Sequence, residues 1–353
     1  MVAILCMMGI VMVFSASYAS AYYKYGNSYY FVQDQLIWLI LGVIVMFVMA
    51  FMSTPKFLKV IAIPSLVVAV GLLALVPFIG VVRNDAKRWL KFGPISIQPS
   101  EIAKIAIILS FAYLITRSGE KIKTFRYGIL PYVGILGVVG FLLIKQPHYS
   151  ATILIFAVGG AMLIVGGINL KWVAGLAAVV IPAAAIIFMK SSYALSRIQR
   201  WLDPWSDPLG KGYQTIQSLY AVGSGGLFGL GLGKSRQKQL YLPEPQNDFI
   251  FAIVCEELGL IGALIILLLF VALVWRGFLI AFRAPDRFSA LVVMGIMVKL
   301  GLQVVLNVAV VTNLMPNTGI SLPFFSAGGS ALLVQMFEMG IVLGVSRYSR
   351  SGG

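Results

Sequence analysis

Charge is scarce in this chain, and negative charge is scarcest: Asp, Glu, Lys and Arg make up 11% of its 353 residues, with 27 basic side chains against 12 acidic ones. Soluble domains carry about 25% charged residues, so a soluble globular fold is excluded. One histidine, His148, leaves no set of imidazoles for zinc chemistry. The two cysteines, Cys6 and Cys255, both fall in apolar stretches and read as small packing hydrophobes, not as a disulfide or a metal site. No repeat of fixed period and no low-complexity tail is visible. What is present is apolar: 60% hydrophobic residues and a mean hydropathy of +0.95 describe an all-α polytopic membrane protein.

A helix needs roughly 17–25 apolar residues to cross ~30 Å of hydrocarbon. Ten stretches approach this: Val2–Ser17, Leu36–Ser53, Val60–Ile79, Glu101–Ile115, Gly128–Lys145, Ala151–Gly167, Trp172–Met189, Phe249–Ile280, Phe288–Val311 and Ser330–Val345. Ala19-Ser20-Ala21 imitates a signal-peptide cleavage site, but no basic segment precedes the first stretch, which reads as a retained helix. Residues 1–353 form a single transmembrane domain, with residues 190–248 as a long extracytoplasmic loop between helices 7 and 8.

Lys and Arg resist translocation, so the basic loops mark the cytoplasmic side: Lys56/Lys59, Arg117/Lys121/Lys123/Arg126, Lys171, Arg276/Arg283/Arg287 and Arg347/Arg350. Both termini are expected there. One short external loop breaks the rule by crowding Arg83, Lys87, Arg88 and Lys91, which points to an anionic ligand. The net charge of +15 therefore reads as internal anchoring plus an external basic surface, without nucleic acid.

Asp248 is the first functional suspect, because Leu242-Pro243-Glu244 and Asn247-Asp248-Phe249 lead directly into an apolar run that still carries Glu256 and Glu257. The segment Gly223–Ser235 ends in Gly-Lys-Ser yet fails as a nucleotide loop. The glycine due five residues before Gly233 is Phe228, so these glycines are expected to permit a tight turn or a close helix approach. Trp201, Trp205, Asp203 and Asp207 read equally as a headgroup-level anchor or as a lid. Gln98-Pro99-Ser100-Glu101 with Lys104 reads as a helix start with an i, i+3 charge pair, beside Arg88 and Lys91, whose cations suit a diphosphate. Lys299 and Glu338 are expected to form a structural ion pair at cytoplasmic or middle depth. Residues 313–329, broken by Pro316, Gly319, Pro323, Gly328 and Gly329, are expected to wall a cavity or to turn tightly between the last two helices.

These segments together resemble the FtsW/RodA/SpoVE group, the shape, elongation, division and sporulation (SEDS) proteins, and most resemble its FtsW/SpoVE branch. The resemblance is carried by Phe14-Ser15-Ala16-Ser17, Arg88-Trp89, Gln98-Pro99-Ser100-Glu101 with Lys104, Asp207-Pro208 through Gln214, Gln217-Ser218-Leu219, and Leu242 through Gly259. It implies ten transmembrane helices in the bacterial cytoplasmic membrane and a peptidoglycan glycosyltransferase that polymerises lipid II at its outer face. The partners it implies are lipid II, the growing glycan chain, membrane lipids and a class B penicillin-binding protein. It makes Asp248 the essential acid. It also places substrate contacts at Arg88, Lys91, Glu101, Lys104, Gln214, Gln217, Ser218, Glu244 and Ser326, and leaves a divalent cation, Mg²⁺ or Mn²⁺, as an open cofactor question.

Two segments depart from the family pattern. Gln146-Pro147-His148-Tyr149-Ser150-Ala151 stands where Gln-Pro-Asp-x-Gly-Thr is usual, and Ser326-Ala327-Gly328-Gly329-Ser330-Ala331 stands where Ser-Tyr-Gly-Gly-Ser-Ser is usual. Two other functions compete: a lipid II flippase, for which Lys145, Lys299 and Glu338 would serve, and a weakly active scaffold for a transpeptidase.

Overall fold

A computed structural model describes residues 1–83, 86–93, 95–176, 178, 182, 192–210 and 212–349. Among them, eight helices are long and apolar enough to cross a membrane, and a ninth apolar helix is shorter. They are α1 (Val2–Tyr25), α2 (Tyr30–Met52), α3 (Pro55–Ile79), α4 (Pro99–Ser118), α5 (Leu130–Lys145), the shorter α6 (Tyr149–Val165), and, after two surface helices, α9 (Ile250–Phe282), α10 (Arg287–Val311) and α11 (Gly329–Arg347). The helical membrane class stands. The expected seventh span, Trp172–Met189, falls for the most part outside the described residues.

Local chemistry sets several of the ends. Thr54 caps α3 by accepting from the Phe57 amide at 3.2 Å, and Pro55 supplies a preset backbone angle at the first turn. Asp286 caps α10, its carboxylate accepting from the Phe288 and Ser289 amides at 3.0 and 3.1 Å. α1 outruns the expected Val2–Ser17 because Tyr18, Tyr22, Tyr23 and Tyr25 continue the helix as exposed aromatics, and it stops at Gly26, whose φ of 66° is left-handed.

Two features were not legible in the apolar pattern. Residues 81–97 hold a three-stranded antiparallel meander, β1 (Val81–Arg83), β2 (Ala86–Phe92) and β3 (Ile95–Ile97), in the order β1-β2-β3. Three strands of three to seven residues are too short to show a period of two. The expected loop 190–248 also contains two helices, α7 (Ser192–Leu202) and α8 (Tyr213–Ser224).

By backbone contacts the chain divides into two compact units. The first comprises Met1–Leu39, Val179–Leu273 and Gly301–Gly328; the second comprises Ile40–Ala178, Val274–Leu300 and Gly329–Gly353.

In the second unit α3 packs on α4, α4 on α6, and α5 on α6. Its core holds a run of buried charge. Lys104 Nζ lies 2.7 Å from each carboxylate oxygen of Glu101, with hydrogen-bond geometry toward Oε1. Lys299 and Glu338, the central residues of α10 and α11, are both fully buried and meet at 2.8 Å. The expected ion pair therefore exists. Such a pair is needed once either charge is buried, because removing one partner strands the other at a cost of about 3–5 kcal/mol. Lys299→Met and Glu338→Gln should each lower the thermal unfolding midpoint in detergent, and the exchange Lys299→Glu with Glu338→Lys should restore much of the loss. Simple addition of two independent losses in the exchanged protein would refute the pairing.

Candidate active site

In the first unit the segment 242–249 forms a turn that ends where α9 begins. Leu242 and Phe249, each 1% exposed, plug its two ends into the core, while Pro243 and Pro245 restrict the backbone between them. Glu244 takes a left-handed φ of 45°, a conformation that costs a non-glycine residue about 1–3 kcal/mol unless its surroundings hold it. Here they do. The Asn247 amide donates to the Glu244 carbonyl at 3.1 Å, the Asn247 side chain donates to Glu244 Oε2 at 3.0 Å, and Lys24 lies 3.7 Å from Oε1.

Asp248 follows, half-buried, and its position is fixed through its backbone. Asn307 on α10 is fully buried and donates at once to the Asp248 carbonyl, at 2.8 Å, and to the Ile320 carbonyl, at 2.6 Å. One turn earlier on the same helix face, Gln303 donates to the Ser321 carbonyl at 3.0 Å. These two amides bind the irregular segment 313–328 beside the acidic turn. A third fastening runs from the Ala327 amide to the Gln246 carbonyl at 2.8 Å. Gly319, at φ 71°, lies so close that a Cβ there would come within 3.2 Å of Asp248 Oδ2. Irregular backbone fastened by buried amides therefore stands against the carboxylate.

The helices of the 190–248 segment dock on the same wall. Trp201 Nε1 on α7 donates to the Asn313 carbonyl at 2.9 Å, and Arg197 donates to the Asn317 carbonyl. From α8, Gln214 accepts from the Asn317 side chain at 3.0 Å and donates to the Pro243 carbonyl at 3.3 Å, which joins wall and acidic turn. Trp201 thus fastens the wall, whereas Trp205 is exposed.

Gln214, Glu244 and Asp248 are brought together in this way. Ser218 and Ser326 are not free surface groups: Ser218 Oγ donates to the Val311 carbonyl at 2.8 Å, and Ser326 Oγ accepts from the Leu322 amide at 2.7 Å. Gln217 faces a groove on α8. In the second unit, Arg88 directs Nη2 to the Pro147 carbonyl at 2.5 Å, Lys91 is exposed on β2, and Glu101 and Lys104 are buried against each other. Among the described residues no three His, Cys, Asp or Glu side chains gather closely enough to hold a metal ion.

The acidic turn also rests on a support the apolar pattern hid. α9 is broken at Gly259, where φ is 67° and ψ −170°. In an unbroken helix the carbonyls of Glu256 and Glu257 would accept from the amides of Leu260 and Ile261. Here those carbonyls accept from Leu230 and Gly231, at 2.9 and 3.0 Å, and the freed amides donate to Gly226 and Leu227, at 2.9 and 3.1 Å. The glycine-rich segment therefore gives each of the four freed groups a new partner. A Cβ on Gly229 would fall 2.2 Å from the Glu257 carbonyl oxygen, so the approach requires glycine.

Both glutamates are fully buried at this break and both are satisfied. Glu256 accepts from the Ser235 hydroxyl and from the amides of Arg236, at 2.9 Å, and Gln237, at 3.3 Å. Glu257 meets Lys238 at 2.8 Å and accepts from Ser15 of α1 at 2.7 Å. Sequence reasoning found the carboxylates but missed Lys238, Asn307 and Gln303. Asn307 and Gln303 carried a signal, two amides four residues apart in an apolar helix; Lys238 carried none that separates it from Lys234 and Arg236.

Fold and site together define a multi-pass membrane protein with one half-buried carboxylate held against an irregular wall at the start of a broken helix. The family model described as cell cycle protein, FtsW/RodA/SpoVE, matches residues 1–351, and the chain belongs to that family. It is 43% identical to stage V sporulation protein E of Bacillus subtilis, over 98% of this chain and 95% of that one. It is 40% identical to the probable peptidoglycan glycosyltransferase FtsW of Geobacter metallireducens, over 98% and 92%. Among solved structures, a chain from a peptidoglycan synthase complex studied for its coordination of polymerization and crosslinking superposes with a TM-score of 0.79 at 30% identity, over 98% of this chain and 95% of that one. The rod shape determining protein RodA of Thermus thermophilus gives 0.71 at 26%, over 99% and 96%.

Proposed function

We propose that the protein is a peptidoglycan glycosyltransferase that polymerises lipid II into glycan strands, with Asp248 as its general base. The observation that carries this reading is the fixed carboxylate: Asn307 holds the Asp248 backbone and Gly319 leaves room beside Oδ2. A sugar hydroxyl is a poor nucleophile, and a carboxylate within hydrogen-bond reach accepts its proton as it attacks. The 4-hydroxyl oxygen of the acceptor N-acetylglucosamine bonds to the anomeric carbon of the donor N-acetylmuramic acid, and Asp248 takes the proton. The bond from that carbon to the diphosphate breaks, the electron pair leaves on undecaprenyl diphosphate, and the anomeric configuration inverts. The basic short loops favour cytoplasmic termini and an external Asp248 in the bacterial cytoplasmic membrane. The likeness to a chain from a peptidoglycan synthase complex supports a penicillin-binding protein as partner.

The test is to supply lipid II to the purified protein with its transpeptidase. Polymer from the original chain and none from Asp248→Ala is the expected result. Transfer of lipid II between vesicle leaflets by a chain that makes no polymer would replace this reading with transport. Partner binding with neither activity would leave a scaffold.

A further inference from the structure

Three buried charges of the first unit, Glu256, Glu257 and Lys238, converge on one exposed turn, residues 233–241. Glu256 grips the backbone amides of Arg236 and Gln237, and Lys238, held by Glu257 and Ser15, returns its own amide to Ser235 Oγ at 3.2 Å. This anchorage engages the turn's backbone, Ser235 and Lys238, and the side chains of Lys234, Arg236, Gln239 and Tyr241 are exposed. Those side chains line a groove of about 810 Å³, closed on the other side by α8.

The lining has a definite chemistry. Lys234 and Arg236 supply two cations, Gln217, Gln237 and Gln239 three amides, and Tyr220 and Tyr241 two half-exposed aromatic faces; among the described residues no acid contributes. Tyr220 is further set by the Trp205 ring, edge-on at 5.8 Å between centroids. Gln237 lines the groove, and its Oε1 is buried with no hydrogen-bond donor among the described residues. Aromatic faces suit the apolar faces of sugar rings, amides suit hydroxyl and acetamido groups, and cations suit carboxylates. A chain of N-acetyl sugars bearing acidic peptides offers all three.

We propose that this groove is a product subsite, which holds the already polymerised glycan strand between additions; the inference rests on the polymerase reading above. The groove and the acidic turn are consecutive in the chain, Tyr241 being followed directly by Leu242–Asp248. A strand retained here stays at high effective concentration for the next transfer. Losing the groove would therefore shorten strands without removing the transfer step itself.

The test uses the full-length protein in uncharged phosphatidylcholine nanodiscs and, as probe, lipid-free uncrosslinked glycan fragments with their peptides. The original chain should bind the fragments, and Gln237→Leu and the double variant Lys234→Glu/Arg236→Glu should bind about tenfold more weakly at an unchanged unfolding midpoint. With lipid II, the same variants should yield shorter strands at a similar initial rate. A third variant, Tyr220→Ala, should behave likewise and covers the case in which one of the others fails to fold. Equal fragment binding and equal strand length in original and variant chains would overturn the subsite. So would binding of anionic vesicles, weakened by Lys234→Glu/Arg236→Glu, by a chain that ignores glycan, since the groove would then be a membrane contact. Fragment binding by a chain that makes no polymer at all would sink the polymerase reading while leaving the groove a glycan site.

Discussion

Asp248→Asn should lower glycan polymerisation by about 10²- to 10⁴-fold, the usual worth of a positioned general base, while the unfolding midpoint stays close to that of the original chain. The substitution keeps the side chain's shape, so it still fits beside Gly319. It also leaves untouched the bond that places the residue, because Asn307 grips the Asp248 carbonyl and not its carboxylate. The ability to take a proton is lost. Asn307→Ala is the informative companion: it keeps the carboxylate but leaves two carbonyls without their donor, at a cost of about 1–3 kcal/mol in stability. It should reduce kcat by less than Asp248→Asn does, with a fall in midpoint that Asp248→Asn lacks. Polymerisation rates of the two variants, measured below both midpoints, check this. If Asp248→Asn keeps more than about a tenth of the original rate, Asp248 is not the base.

The two substitutions also separate what was readable in the chain from what was not. Asp248 was readable because a carboxylate at the edge of an apolar run is costly and therefore conspicuous. The spans were readable for a similar reason, since a run long enough to cross hydrocarbon has few other uses. The break in α9 was not: Ile250–Phe282 is apolar on both sides of Gly259, and a single glycine in an apolar helix does not by itself announce a left-handed residue. The break becomes intelligible only through Gly226–Gly231, whose backbone supplies partners for the four freed groups from a separate stretch of chain. The two segments that depart from the family pattern turn out to serve backbone contacts here. Gln146 Nε2 donates to the Leu73 carbonyl at 2.9 Å, and the Ala327 amide ties the wall to Gln246. Neither bond uses the side chain at the replaced position, 148 or 327.

Lys238→Met should destabilise the protein by about 3–5 kcal/mol, because it leaves Glu257 fully buried beside a hydroxyl and one amide with no cation. The position makes the loss worse. Glu257 ends the first half of α9, where the negative end of the helix dipole already disfavours a carboxylate, and Lys238 offsets both. Glu257→Gln should cost less, since an amide can still accept from Ser15 and Ser235, and the double variant Lys238→Met/Glu257→Gln should recover part of the Lys238→Met loss. Thermal unfolding of the three variants in one detergent measures the coupling; strictly additive losses would mean that the two side chains act independently. A functional loss should accompany the structural one. Lys238 anchors the turn that runs without interruption into Leu242–Asp248, so Lys238→Met should slow polymerisation even below its own midpoint, and the double variant should regain rate and stability together.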